Sequence, residues 1–374
     1  MRKILILLFS FVYFTSSAQI VINEYSAANY DTYTDNYGEY EDWVELYNPT
    51  AAPVDINGWA LSDKVNNPLK WVIPSSFTPS ILRSNTVEIE ELEKVVADFK
   101  PDIIHSHLYE ADLVAYQLKV KNVKFFSHIH SNRKELQSNY KTENLKQKLI
   151  FTFEKRLYKS LLKQKKVYQI AISQNCFDFV TKDLKSPKNK VILLPNCIDF
   201  NLFKSPQKSI ANLSEITLIA VGRFDENKDQ RFLIDVLRNL TPNFKLIFLG
   251  QGVLQEKVKN YVTKNELQNQ VIFKGMVQNP QNELKSANIF VHAAKKEAFG
   301  LALIEAMAAG LPVISTNGGG NKDLILENEN GFMIEPRTPE LFAQKITRFT
   351  DSPEDYERIS KNCIAFAAKY DIKT

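Results

Sequence analysis

The stretch His292-Ala293-Ala294-Lys295-Lys296-Glu297-Ala298-Phe299-Gly300-Leu301-Ala302-Leu303-Ile304-Glu305-Ala306-Met307-Ala308-Ala309-Gly310-Leu311-Pro312 decides the fold. A short buried strand over Ile289–His292 ends at its start, and helical apolar spacing begins near Gly300. Gly310 closes that helix as a C′ residue and Pro312 bars its continuation. Strand, short loop, helix and next strand form the repeating unit of a parallel α/β sheet. The amides of Phe299, Gly300 and Leu301 then sit at a positive helix end, a ready site for phosphate. Glu297 stands just before that end and Glu305 lies inside the helix. The two acids can meet ligand hydroxyls beside the phosphate; they can equally be a cap and a solvated face.

Upstream, Val221-Gly222-Arg223-Phe224-Asp225-Glu226-Asn227-Lys228-Asp229 follows another strand, Thr217–Val221. Gly222 permits a close turn, and Arg223 and Lys228 offer a bidentate fork and a point charge for a diphosphate. Ten of the twelve glycines fall between Gly222 and Gly331, and none between residues 59 and 221. A glycine-rich phosphate loop is therefore confined to the carboxy-terminal half.

The chain has 374 residues, enough for two to three folding units, and its 44% apolar and 24% charged composition excludes a disordered or collagen-like protein. Three cysteines, Cys176, Cys197 and Cys363, are odd in number and far apart. That argues against a disulfide framework or a structural zinc site and fits a reducing compartment. Residues 1–85 carry a balance of −4 and the remainder +8, which suits an anionic ligand or membrane surface without implying nucleic acid.

Arg2 and Lys3, the apolar run Ile4–Phe14 and Thr15-Ser16-Ser17-Ala18 make residues 1–19 an export signal, in preference to the first strand of an α/β domain. Residues 20–77 alternate strand-like runs (Ile20–Ile22, Trp43–Tyr47, Val54–Ile56, Lys70–Ile73) with turns at Asn48-Pro49, Asn57-Gly58 and Asn66-Asn67-Pro68. The pattern Val21-Ile22-Asn23-Glu24, Asp42–Asn48, Gly58–Asp63 resembles the start of a lamin-tail domain, an immunoglobulin-like sandwich, with its final strands missing.

From residue 86 helices and strands alternate. Val87–Phe99, Ala111–Leu118 and a basic stretch from Asn144 to Lys163 read as helices; Asp102–His105, Val123–Ser127, Tyr168–Ile172 and Val191–Leu194 read as strands. Residues 203–214 read as a linker. Strands at Thr217–Val221, Lys245–Leu249, Val271–Phe273, Ile289–His292, Pro312–Ser315 and Phe332–Ile334 follow, then helices Pro339–Thr350 and Glu354–Ala368. The domains are thus 86–205 and 206–374.

Gly222–Lys228, Glu297–Pro312 and the Gly318-Gly319-Gly320 loop together resemble retaining glycosyltransferases of family 4, from about residue 90 onward. Leu194-Pro195-Asn196-Cys197-Ile198-Asp199 resembles the family's interdomain motif, with Cys197 replacing its glycine. The resemblance implies an α/β GT-B fold of two Rossmann-like lobes, the amino-terminal one truncated and preceded by the partial all-β segment. It implies a UDP- or GDP-sugar donor, with Gly222 in the diphosphate loop, Arg223, Lys228 and the Gly300 and Leu301 amides on the diphosphate, and Glu305 on the ribose. Glu297 would meet the donor sugar and the backbone at Val277 the base. No metal would be required. A glycan or lipid-linked acceptor would complete the reaction, and the basic helix suits peripheral membrane contact.

His105, His107, His128 and His130 gather at two strand ends. A metal reading is set aside for want of a suitably spaced carboxylate or cysteine; the resemblance puts His130, or alternatively His128, near the transferred sugar. Loss of the lobe's first strands would leave an apolar sheet edge unpaired and put transfer in doubt. The export signal conflicts with a cytoplasmic or inner-membrane transferase, so the halves read as a fusion or assembly artefact joined between Ser75 and Thr86. The competing reading is a secreted lamin-tail binding module with a transferase remnant.

Overall fold

The structure, a computed structural model, describes residues 4–7, 21–26, 43–47, 86–107, 109–132, 145–164 and 166–373. The chain divides into two compact units, residues 1–172 with 176–193, and residues 194–374 with 173–175. The sequence reading put this division at 205/206.

The first unit contains β1 (Ile4–Leu7), β2 (Val21–Ser26), β3 (Trp43–Tyr47), α1 (Thr86–Phe99), β4 (Ile103–His107), α2 (Tyr109–Gln117), β5 (Lys124–Ile129), α3 (Leu145–Gln164), β6 (Val167–Ala171) and β7 (Val191–Leu193). Five strands form one parallel sheet in the order β1-β4-β5-β6-β7. Ile104, Phe125 and Ala171 are fully buried in it, as both faces of a parallel sheet require. β2 and β3 pair antiparallel; the strands expected at Val54–Ile56 and Lys70–Ile73 lie outside the described residues.

One expectation is corrected here. The outer edge of β4 is not bare: Ile4–Leu7 pairs with Ile103–Ser106 in parallel register. The first residues of the apolar run, Ile4–Leu7, therefore form a strand whose backbone satisfies donors and acceptors of β4, while residues 8–20, which carry the rest of the expected export signal, lie outside the described residues.

Along β4 and β5 serines alternate with histidines. Ser106, Ser127 and Tyr158 all donate to the buried carboxyl of Asp112 on α2, at 2.5, 2.5 and 2.7 Å. Burial pushes that carboxyl up to about 7 against the pull of these hydrogen bonds.

The second unit contains β8 (Ile216–Val221), α4 (Gln230–Leu237), β9 (Phe244–Leu249), α5 (Gln255–Lys264), β10 (Val271–Gly275), α6 (Pro280–Ser286), β11 (Ile289–His292), α7 (Leu301–Ala308), β12 (Val313–Thr316), β13 (Gly331–Ile334), α8 (Pro339–Asp351) and α9 (Pro353–Ala367). Its six strands run parallel in the order β10-β9-β8-β11-β12-β13. Every residue of the central strands β11 and β12 is buried.

Residues 204–210, expected to be part of a linker, pack onto this unit. Ile210 is buried, and the Lys208 ammonium donates to the carbonyls of Lys285 and Ala287 at the end of α6. Cys197 is not among the residues with positive φ, so this position of the interdomain motif does not demand a glycine's backbone.

Asp112→Ala should strip three buried hydroxyls of their acceptor and lower the stability of the first unit by on the order of 3 kcal/mol. Hydrogen exchange of the β4 and β5 amides measures this, and unchanged protection would refute it.

Candidate functional site

The second unit's site is built at the carboxyl ends of β8, β11 and β12, where loops pass toward helices. After β8, Asp225 organises the first loop. Its Oδ1 accepts from the amides of Asn227 and Lys228 at 2.9 and 2.7 Å, and its Oδ2 from Arg223 Nε at 3.0 Å. Asn227 ties this loop to the one after β11: its side chain donates to Lys296 O and accepts from Lys296 N, and its carbonyl accepts from Lys295 N.

The second loop is clamped from its other side. Glu297 N donates to Gly318 O, and Gly320 N donates to Glu297 O, both at 2.7 Å. A Cβ at residue 320 would collide with Ala298 O, so only glycine permits this approach. Buried Asn321 fixes the glycine loop by accepting from Gly318 N and donating to Ser315 Oγ and Thr316 O. Gly300, at φ 103, then turns the chain into α7, a left-handed conformation that favours glycine. Its Cα-side turn leaves the Leu301 and Ala302 amides ahead of the first intrahelical acceptor.

These constraints bring Lys228 Nζ within 2.7 Å of Glu297 Oε2, and His292 Nε2 within 3.2 Å of the same oxygen. A carboxylate only accepts, so the His292 proton on Nε2 is donated to Glu297, while Nδ1 faces Ser315 Oγ at 3.1 Å. Burial alone would raise the Glu297 carboxyl, but the Lys228 charge and the His292 hydrogen bond outweigh it and hold the group at about 2. Burial lowers His292 despite the neighbouring carboxylate, and the ring is neutral at pH 7. Glu305, one turn into α7, has no ion-pair partner among the described residues, and burial pushes it up to about 7. A narrow pocket beside this network is lined by Gly222, Lys228, Gln230, His292 and Ala293.

Gly222, Lys228, Glu297 and His292 thus converge, with Arg223 joined through Asp225 and Gly300, Leu301 and Glu305 following on the same loop and helix. Val277 lies two residues beyond β10 and takes no part in the ion-pair network. His130 belongs to the first unit, where its Nε2 meets His107 Nδ1 at 2.8 Å. Burial, and then neighbouring histidine charges, lowers His107 to about 2, His128 to about 3 and His130 to about 4; burial also lowers His105. Sequence reasoning missed Asp225, His292 and Asn321. The position of His292 at a strand's carboxyl end, five residues before Glu297, was the available signal.

A parallel sheet with charged loops at its carboxyl edge and a glycine-led helix start at Gly300 is the arrangement of an α/β unit of the GT-B type. Residues 203–365 match the family model described as glycosyl transferases group 1, so the carboxy-terminal part carries a glycosyltransferase group 1 domain. Residues 14–105 match the lamin tail domain model, a range that runs past residue 77 into α1 and β4 of the parallel-sheet unit. The chain is 32% identical over 274 residues to an uncharacterized glycosyltransferase of Methanocaldococcus jannaschii, covering 68% of this chain and 63% of that protein. A second uncharacterized glycosyltransferase of that organism is 29% identical over 40% of this chain and 42% of its own length, so the chain spans less than two thirds of both. It is 25% identical to the Escherichia coli UDP-Gal:alpha-D-GlcNAc-diphosphoundecaprenol alpha-1,3-galactosyltransferase, over 77% of each chain. The solved structure of Anabaena HepE in complex with UDP shares the fold, with a TM-score of 0.65 and 21% identity over 75% of this chain and 77% of that one.

The two acids impose opposite pH dependences. Glu297, depressed from 4.5 to about 2, contributes stability above pH 4.5 that is lost as pH falls toward 2. Glu305, raised from 4.5 to about 7, favours the fold below pH 4.5, and that contribution is lost as pH rises through 7. Glu305→Gln should therefore raise the unfolding free energy from denaturant titration, relative to the parent, by up to about 3 kcal/mol at pH 8 but not at pH 4. An equal effect at both pH values would refute this.

Proposed function

We propose that the chain is a retaining glycosyltransferase of family 4 that moves a sugar from a UDP- or GDP-sugar to a glycan or lipid-linked acceptor. The observation that carries this reading is the Lys228–Glu297–His292 cluster at the sheet edge, immediately before the helix start at Gly300. Arg223 and Lys228 neutralise the diphosphate, the Leu301 amide at the helix start adds a fixed dipole, and departure of the leaving group needs no metal. Glu297, ionised and held by two partners, accepts hydrogen bonds from sugar hydroxyls. Glu305, near its own midpoint at pH 7, serves the ribose hydroxyls as acceptor or donor. The Val277 backbone is assigned to the base and His130 to the transferred sugar.

The acceptor class rests on the Escherichia coli relative, whose name specifies a diphosphoundecaprenol substrate. The basic residues Lys155, Arg156, Lys159 and Lys163 of α3 suit peripheral contact with an anionic membrane. No helix among the described residues is long and apolar enough to cross one. A nucleotide-sugar donor argues for action in the cytoplasm or at the inner membrane face, against the export reading of residues 1–19.

Calorimetric titration of UDP and GDP into the full chain tests the donor site. Arg223→Ala and Glu305→Ala should each weaken nucleotide binding by about 1.5–3 kcal/mol, the range for charged hydrogen bonds. Unchanged affinity in both folded variants would overturn the assignment.

A further inference from the structure

Four of the five histidines of the chain share one face of the first unit's sheet. β4 and β5 run parallel with His107 opposite His128, and strand alternation puts His105 beside His107 and His130 beside His128. Ring centroids lie 4.4 Å apart for His105–His107, 5.0 Å for His107–His128 and 5.5 Å for His105–His128. One ring nitrogen from each of these three histidines falls within 4.8 Å of the others. His105 Nε2 and both ring nitrogens of His128 are buried with no hydrogen-bond partner, a state that asks for an explanation. The intervening serine hydroxyls, in contrast, both donate to Asp112. His107 turns Nδ1 to His130 Nε2, the kind of outer hydrogen bond that orients a metal-ligating imidazole.

We propose that His105, His107 and His128 bind a divalent transition metal ion, zinc foremost, with His130 orienting the His107 ring. Neutral imidazoles suit zinc, copper, nickel and cobalt, and three such ligands leave a fourth position for water or another ligand. Zinc–nitrogen bonds of about 2.0–2.1 Å bring ligand nitrogens to roughly 3.4 Å, so the rings close in by side-chain rotation. Magnesium and calcium, which demand oxygen donors, are not expected. The sequence lacked a suitably spaced acid or cysteine; parallel pairing supplies the third ligand by joining two His-x-His pairs. The ion is assigned no step in sugar transfer.

The test uses the full chain, free of affinity tag and stripped by chelator, titrated with zinc and with cobalt. One ion per chain and the visible absorption of tetrahedral cobalt are expected, with His105→Gln and His128→Gln each weakening binding at least about tenfold. Failure of the parent chain to bind zinc at micromolar concentration would overturn the proposal, as would undiminished binding in a folded double variant. Should the double variant not fold, X-ray absorption of the zinc-loaded parent decides: three imidazole nitrogens support the site, and any other coordination refutes it.

Discussion

The ion pair of Lys228 with Glu297 at 2.7 Å joins two loops, its partners 69 residues apart in the chain, that Asn227 also ties together. Both side chains are mostly covered, at 20% and 16% exposure, where an unpaired charge is costly. Hydrogen bonds independent of the pair hold each loop in place. Asp225 holds the amides of the first, while Asn227 and the glycine loop hold the second from either side. The mutual orientation of the two charges is therefore set by the loops that carry them.

Much of this architecture is legible in the sequence because it rests on local signals. Continuous apolar runs such as Ile289–His292 specify buried parallel strands, and the Gly310-Leu311-Pro312 stop fixes where α7 yields to β12. The long basic helix, expected over Asn144–Lys163, is observed over Leu145–Gln164. Arg223, Lys228 and Glu297 are legible for the same reason: each stands near a strand or helix boundary that the pattern already marks, and Glu305 lies one turn inside the helix that follows.

What escapes the sequence depends on pairing between distant segments. Asn321 is one asparagine among many until the fold buries it against Ser315 and Thr316. Lys208 reads as a solvated charge in a polar stretch, yet two carbonyls of a helix end and its neighbour capture it. The run Ile4–Leu7 has the composition of both an export signal and a first strand, and only its register against Ile103–Ser106 distinguishes a paired edge from a bare one. Local composition is degenerate in such cases, and tertiary partners decide.

The divergence of Glu297 and Glu305 follows from one difference in surroundings. Both are carboxylates removed from water, a change that by itself disfavours ionisation in either. Glu297 has an ammonium and an imidazole proton within 3.2 Å and remains charged at about 2; Glu305 has neither and rises to about 7. Eight positions apart and joined by the turn at Gly300, the two groups enter neutral solution with different proton occupancies. A fixed anion can only accept from a ligand, whereas a group near its midpoint can donate or accept as the ligand requires. Supplying a cation to one of two otherwise identical acids is enough to set their proton occupancies apart on a single loop and helix.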